Sequence, residues 1–143
     1  MEQCRICPPM SAIVVVSYNS YPDLLRLLEG LRPDGTLTYA MLDFPPDEIV
    51  IVDNASTDGS RELLRRLGED EKITYIHNSR NEGYAKALNQ GIEAAKSDLI
   101  IASNADMEVV RPDWLEWILR CWEEPPKPCI MGQQLAWTKY DVP

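Results

Sequence analysis

Three short aliphatic runs, each ending abruptly on polar side chains, constrain this chain more than anything else in its sequence. Ile49-Val50-Ile51-Val52 stops at Asp53 and leads into Asn54-Ala55-Ser56-Thr57-Asp58-Gly59-Ser60. Ile13-Val14-Val15-Val16 runs into Ser17-Tyr18-Asn19, and Leu99-Ile100-Ile101-Ala102 into Ser103-Asn104-Ala105-Asp106. A continuous aliphatic run of this length reads as a strand buried on both faces. In open α/β sheets, ligands bind in the crevice beyond the carboxyl ends of such strands. Three buried strands that deliver polar residues to one edge make a binding site.

The rest of the chain supplies the helices. Pro22 suits a first helical turn, and Leu24, Leu25, Leu27, Leu28 and Leu31 give that helix an apolar stripe ending near Gly30–Pro33. A long loop through Asp34, Gly35, Pro45 and Pro46 precedes a strand at Glu48–Asp53. Asp58 or Ser56 caps the next helix, whose Leu63, Leu64 and Leu67 face the sheet and which Gly68 stops. A strand at Ile73–His77 is followed by a helix to about Lys96, with Ala85, Leu88, Ile92 and Ala95 as its apolar face. A strand at Asp98–Ala102 comes next. Pro112 then opens a helix packing through Leu115, Ile118, Leu119 and Trp122, and Ile130–Leu135 begins a further strand. This alternation predicts an α/β fold: a Rossmann-like, three-layer, mostly parallel sheet with helices on both faces. Residues 1–10 form an irregular lead-in to one domain over 11–143, whose sheet is expected to be incomplete at the C-terminus.

Composition removes several classes of function. With 14 basic against 23 acidic residues the net charge is −9, the wrong sign for a nucleic-acid binder. No apolar run approaches the roughly 18 residues of a transmembrane helix, and no signal-peptide core is present. The expectation is a cytoplasmic protein, with any membrane association peripheral. Cys4 and Cys7 could pair with Cys121 and Cys129 in a zinc site, but the latter two stand eight positions apart across a proline-rich stretch. That is a poor second knuckle, and reduced thiols are the better reading. His77 is the only histidine.

A nucleotide is the default ligand at this kind of sheet edge, yet neither a G-x-G-x-x-G after the first strand nor a G-x-x-x-x-G-K-[ST] loop is present. Without a cradle of backbone N–H groups, a diphosphate needs a cation. Asp106, at the exit of the fourth strand, is the candidate ligand for Mg²⁺ or Mn²⁺, which take one or two carboxylates and fill other positions with phosphate oxygens. Asp53, an acceptor-only carboxylate, suits the imide N–H of a uracil or thymine. UDP- or dTDP-linked ligands are therefore favoured.

Val-Ser-Tyr-Asn at 16–19, Val-Asp-Asn-Ala-Ser-Thr-Asp-Gly-Ser at 52–60, Asn-x-Gly-x-Ala-x-Ala-x-Asn at 81–89 and Ser-Asn-Ala-Asp at 103–106 resemble the motifs of family-2 glycosyltransferases. These GT-A-fold enzymes transfer sugars from nucleotide donors. The four motifs stand in the family's order, and the resemblance covers about residues 11 to 135. It implies that Ser17, Tyr18 and Asn19 line the base and ribose, and that Asp53 reads the pyrimidine. Asn81 and Gly83 would form the helix start beside the nucleotide. Asn104 and Asp106 would stand in the D-x-D position, Asp106 as metal ligand and Asn104 near the ribose. Asparagine in place of the first carboxylate points to the rhamnosyltransferase-like branch. The implied reaction is inverting: a sugar or lipid-linked acceptor hydroxyl attacks the anomeric carbon, as in cell-surface polysaccharide biosynthesis. The family's catalytic base lies in an acceptor-binding half beyond the matched stretch. No catalytic residue is therefore assigned, and the chain alone is expected not to transfer sugar. A non-catalytic nucleotide-sugar-binding module is the alternative. A sugar-phosphate nucleotidylyltransferase would need a Gly-rich basic loop after Val16, which is absent.

Simpler roles exist for the same residues. Asp53 could cap the following turn, Asp106 could be a loop carboxylate, and Asn81 and Gly83 could only cap a helix. Lys86 reads as part of a solvated helix face. Tyr84 suits stacking on a donor or packing equally. Trp114, Trp117 and Trp122, at helical spacing, read as core rather than as a sugar-stacking platform with Trp137.

Overall fold

The computed structural model of the protein describes residues 10–28, 46–70, 73–107 and 114–123. Strand and helix alternate through them: β1 (Ser11–Ser17), α1 (Tyr21–Leu27), β2 (Glu48–Asp53), α2 (Ser60–Glu69), β3 (Thr74–His77), α3 (Tyr84–Ala94), β4 (Leu99–Asn104) and α4 (Trp114–Glu123). The strands form one parallel sheet in the order β3-β2-β1-β4. All seven residues of β1 are buried, as its unbroken apolar run requires. The chain steps outward from β1 to β2 to β3, then returns to lay β4 on the other side of β1. That reversal opens a crevice between the carboxyl ends of β1 and β4.

Successive side chains on a strand face opposite sides of the sheet, and this sorts the core into two layers. Ile13 and Val15 of β1 and Ile49 and Ile51 of β2 pack against Leu24, Leu27 and Leu28 around α1 and against Leu64 and Leu67 of α2. Val16 and Val52 turn the other way, onto Ala87 and the half-buried Leu88 of α3. Three layers result, as the sequence predicts. Among the described residues no helix is long and apolar enough to cross a membrane.

Four details depart from the sequence reading. β4 does not end at Ala102; its pairing with β1 continues through Val15↔Ser103 and Val16↔Asn104, so Asn104 is a strand residue. Gly68 does not stop α2, which runs on to Glu69. A Cβ at Gly68 would lie 2.8 Å from Tyr75 Cβ, so the glycine allows close packing of α2 on β3. The buried face of α3 is Ala87 and Gly91, whereas Ala85 and Ile92 are exposed and Ala95 lies past the helix end in extended backbone. A Cβ at Gly91 would overlap Val14 Cγ1, so this helix meets the sheet through its smallest residues rather than its most apolar ones. On α4, Leu115 is buried but Trp117 is 58% exposed, against its reading as core. Residues 1–9 and the expected strand at 130–135 fall outside the described residues, as do Leu31, Cys4, Cys7, Cys129 and Trp137.

Candidate functional site

The strand ends set the site. At the end of β1 the alternation sends Val16 and Tyr18 to the α3 side of the sheet, and beyond β2 it sends Asn54 there too. Asn104 follows because it is paired with Val16. Together with Asn81 and Tyr84 from the start of α3, these residues line a cleft of about 320 Å³. Ser20 and Asp23 close it from the β1–α1 side, and Ala105 and Asp106 from the β4 side. Tyr18 and Tyr84, each about half exposed, offer ring surface to the cleft.

A hydrogen-bonded amide cluster builds one wall. Asn54 is buried; its Nδ2 donates to Asn81 Oδ1 at 2.9 Å, and its Oδ1 accepts from the Glu82 N–H at 2.9 Å and from Asn78 Nδ2 at 3.1 Å. Asn78 and Gln90 exchange amide hydrogen bonds of 2.8 and 3.0 Å, tying the loop to α3. Asn81 Oδ1 also accepts from the Gly83 N–H at 2.9 Å. Gly83 has φ +81°, a conformation that suits glycine and turns the chain into α3. With the buried Asn54 and Asn78 tied into one network, this wall is rigid.

The opposite wall is stitched across two loops. The Asn19 N–H donates to Ser56 Oγ at 2.9 Å, and Asn19 Oδ1 accepts from the Thr57 N–H at 2.8 Å. Asp58 takes the Tyr21 N–H and the Ser60 N–H, both at 3.0 Å, and so receives the first amide of α2. Ser56 or Asp58 was the expected cap; the cap position is instead Gly59, which offers no side chain, and Asp58 accepts the Ser60 N–H from one position earlier.

The candidates named from sequence divide accordingly. Tyr18, Asn81, Asn104 and Asp106 line the cleft, and Gly83 shapes its edge. Asn19 braces the wall without lining it. Ser17 and Asp53, a register pair, fall on the opposite side of the sheet. Ser17 is fully buried, and its Oγ has no hydrogen-bond partner among the described residues. Asp53 is 0% exposed. Its Oδ1 accepts from the Ser56 N–H at 2.8 Å, and its Oδ2 accepts from Tyr75 Oη at 3.3 Å and lies 3.1 Å from His77 Nδ1. Burial, with the Asp53 charge beside it, pushes the Tyr75 hydroxyl up to about 12. Asp53 therefore does not line the cleft, whereas Asn54, the residue after it, does. Asn54, Ser20 and Asp23 went unrecognised in the sequence. Counting the two-residue period onward from Val52 would have found Asn54.

The charge of the cleft is one-sided. Its ionisable lining groups are two carboxylates, Asp23 and Asp106, beside tyrosine hydroxyls, and no lysine, arginine or histidine is among the described residues lining it. Lys86 is turned to Glu82, which also receives Arg80, each at 2.6 Å. Hydrogen bonds from Arg80 and Lys86 hold the Glu82 carboxyl down at about 2. An exposed carboxylate with amide and hydroxyl oxygens nearby is a donor set that Mg²⁺ or Mn²⁺ accepts when a ligand's phosphates complete it. Among the described residues no group of three His, Cys, Asp or Glu forms a metal cage, and Cys121 is a free thiol.

Comparison with known proteins agrees with this geometry. The family model for glycosyl transferase family 2 matches residues 12–140. The chain is 30% identical over 86 residues to poly-beta-1,6-N-acetyl-D-glucosamine synthase of Staphylococcus aureus, covering 60% of this chain and 21% of that protein. It is 26% identical over 131 residues to glycosyltransferase GlyG of Streptococcus pneumoniae, covering 91% and 40% respectively. The mannosyltransferase PcManGT of Pyrobaculum calidifontis, solved in complex with GDP-Man and Mn²⁺, superposes with a TM-score of 0.69 at 26% identity. That match covers 84% of this chain and 34% of PcManGT. The chain therefore spans about a fifth to two fifths of these relatives' lengths. The sheet and its helices are the GT-A arrangement.

Proposed function

The chain belongs to glycosyl transferase family 2, and from that premise we propose that its cleft binds the nucleoside diphosphate of a sugar donor, with a divalent cation on Asp106. The observation that carries this reading is a cleft at the sheet's switch point whose charged lining groups, among the described residues, are carboxylates alone. A diphosphate enters such a site only with a cation between the charges. The complex of PcManGT with GDP-Man and Mn²⁺ supports that pairing.

Each wall has a task. Asn104 and Asn81 offer amides to the ribose hydroxyls, and Tyr18 and Tyr84 offer ring faces. Among the described residues Asn54 Nδ2 donates to Asn81 alone, so one amide hydrogen is left for a ring carbonyl to accept. Uracil, thymine and guanine carry such a carbonyl; adenine does not. This replaces the acceptor-only selection expected of Asp53 and widens the donor class from UDP- or dTDP-linked sugars to include GDP-linked ones.

In the reaction, an acceptor hydroxyl of a sugar or lipid-linked sugar attacks the anomeric carbon as its bond to the diphosphate oxygen breaks, inverting the centre. The hydroxyl proton passes to a base that we place outside the described residues. The cation, when bound, offsets the charge gathering on the leaving diphosphate. Asp106 fixes where that charge is met, and the amide wall holds the nucleoside still while the bond breaks. The S. aureus relative supports a place in polysaccharide synthesis.

Calorimetry tests the binding step. UDP and GDP should bind in the presence of Mn²⁺ and lose affinity in chelator, and Asp106→Ala should abolish that dependence while the circular dichroism is unchanged. ADP should bind about twofold to tenfold more weakly, the weight of one neutral hydrogen bond. Equal affinity with and without chelator would sink the assignment of Asp106.

A further inference from the structure

Asp53 is a fully buried carboxylate that the donor cleft does not use, and its partners lead back to that cleft. A buried charge is costly unless it is paired and hydrogen-bonded. Among the described residues three groups meet it: the Ser56 N–H at 2.8 Å, His77 Nδ1 at 3.1 Å and Tyr75 Oη at 3.3 Å. The Ser56 amide belongs to the loop itself, and the tyrosine bond is the longest of the three. His77, at the end of β3 with its side chain 29% exposed, is the partner able to carry a positive charge. Ser56 passes the restraint onward, because its Oγ accepts the Asn19 N–H at 2.9 Å. Asn19 lies between two cleft-lining residues, Tyr18 and Ser20, and has φ +50°, the left-handed region that asparagine enters more readily than other non-glycine residues.

We propose that His77 is a positioning residue for the donor cleft: through Asp53 and Ser56 it fixes the Tyr18–Ser20 segment that forms one wall. The inference rests on the cleft reading above for its consequence in binding, but the relay itself exists without ligand. Removing the imidazole leaves the Asp53 carboxylate short of a donor in a dry setting. The carboxylate then turns toward the vacated space and water, and the Ser56 N–H loses its acceptor. The wall loosens at Ser56 and Asn19 while α3, held by its own amide cluster, stays in place.

Three substitutions in the full chain separate this from a merely structural role. Asparagine places its Nδ2 where His77 has Nδ1, whereas glutamine places its nitrogen nearer Nε2 and leucine has none. Amide hydrogen exchange at Ser56 and Asn19 should accelerate about tenfold to a hundredfold in His77→Leu and His77→Gln, the weight of one hydrogen bond to a charged group. His77→Asn should restore the wild-type rates, with Ala87 and Gly91 unchanged throughout. UDP or GDP affinity with Mn²⁺ should fall by a similar factor in the first two variants and recover in the third. Unchanged exchange at Ser56 and Asn19 in both His77→Leu and His77→Gln would overturn the proposal. So would acceleration spread evenly over α3, or no recovery in His77→Asn. Wild-type protein that binds neither nucleotide would instead refute the cleft reading, and the exchange rates would still decide the relay.

Discussion

Asp53 and Asn54 are neighbours in sequence and strangers in the structure, because one step along a strand exchanges the faces of the sheet. The carboxylate goes to a closed cluster with Tyr75 and His77, and the amide goes to the cleft wall. Residue type alone favoured Asp53 as the ligand-reading group. The face it occupies depends on where the β2 pleat is in phase, and a run apolar on both sides hides that phase. Asp106 and Asn104 were legible because loop and strand-end residues beyond an obvious strand have only one edge to reach. Tyr75 offers a test at this scale. Its hydroxyl is neutral when it donates to Asp53 and its folded value, about 12, lies above the ordinary tyrosine value near 10. The stability it contributes is therefore complete below about pH 10 and lost as the pH climbs through about 12. Tyrosinate absorbance should show one group ionising near 12 that disappears in Tyr75→Phe. A variant that instead loses an ionisation near 10 would contradict the cluster.

Strands were the most legible elements, since three unbroken aliphatic runs have few other uses. Helix faces were less so. Of the apolar residues of α3 at helical spacing only Leu88 joins the contact, half-buried, because a helix can approach a sheet more closely over Ala87 and Gly91 than over Leu88 or Ile92. Small size, not hydrophobicity, set the buried stripe, and periodicity of apolar residues does not register size. That close approach brings the start of α3, with Asn81 and Tyr84, up to the end of β1. Gly91→Ala tests it. In an exposed helix the change would gain up to about 1 kcal/mol; here the added methyl meets Val14 and Val52, and overpacking costs about 1–3 kcal/mol. A net loss in urea denaturation is expected, with weaker nucleotide binding as α3 is pushed outward. A stabilised variant would show that the helix packs differently.

At the scale of the whole molecule, strand order places the site. A parallel sheet whose order reverses between β1 and β4 gathers Tyr18, Asn54, Asn104 and Asp106 from distant parts of the chain at one edge, opposite the end where Lys96 is tied to Glu48. The net charge of −9 and the carboxylates in the cleft make the cation central to the proposed function, since without it they would repel a diphosphate. The most direct measurement is paramagnetic broadening of backbone amide signals by Mn²⁺ in the presence of UDP or GDP. The expectation is strong broadening at Asn104, Ala105 and Asp106, weaker effects at Ser20 and Tyr84, and sharp signals at Glu48 and Lys96 at the far end of the sheet. Sharp signals around Asp106 with nucleotide and Mn²⁺ both present, or broadening centred on the far end, would contradict it.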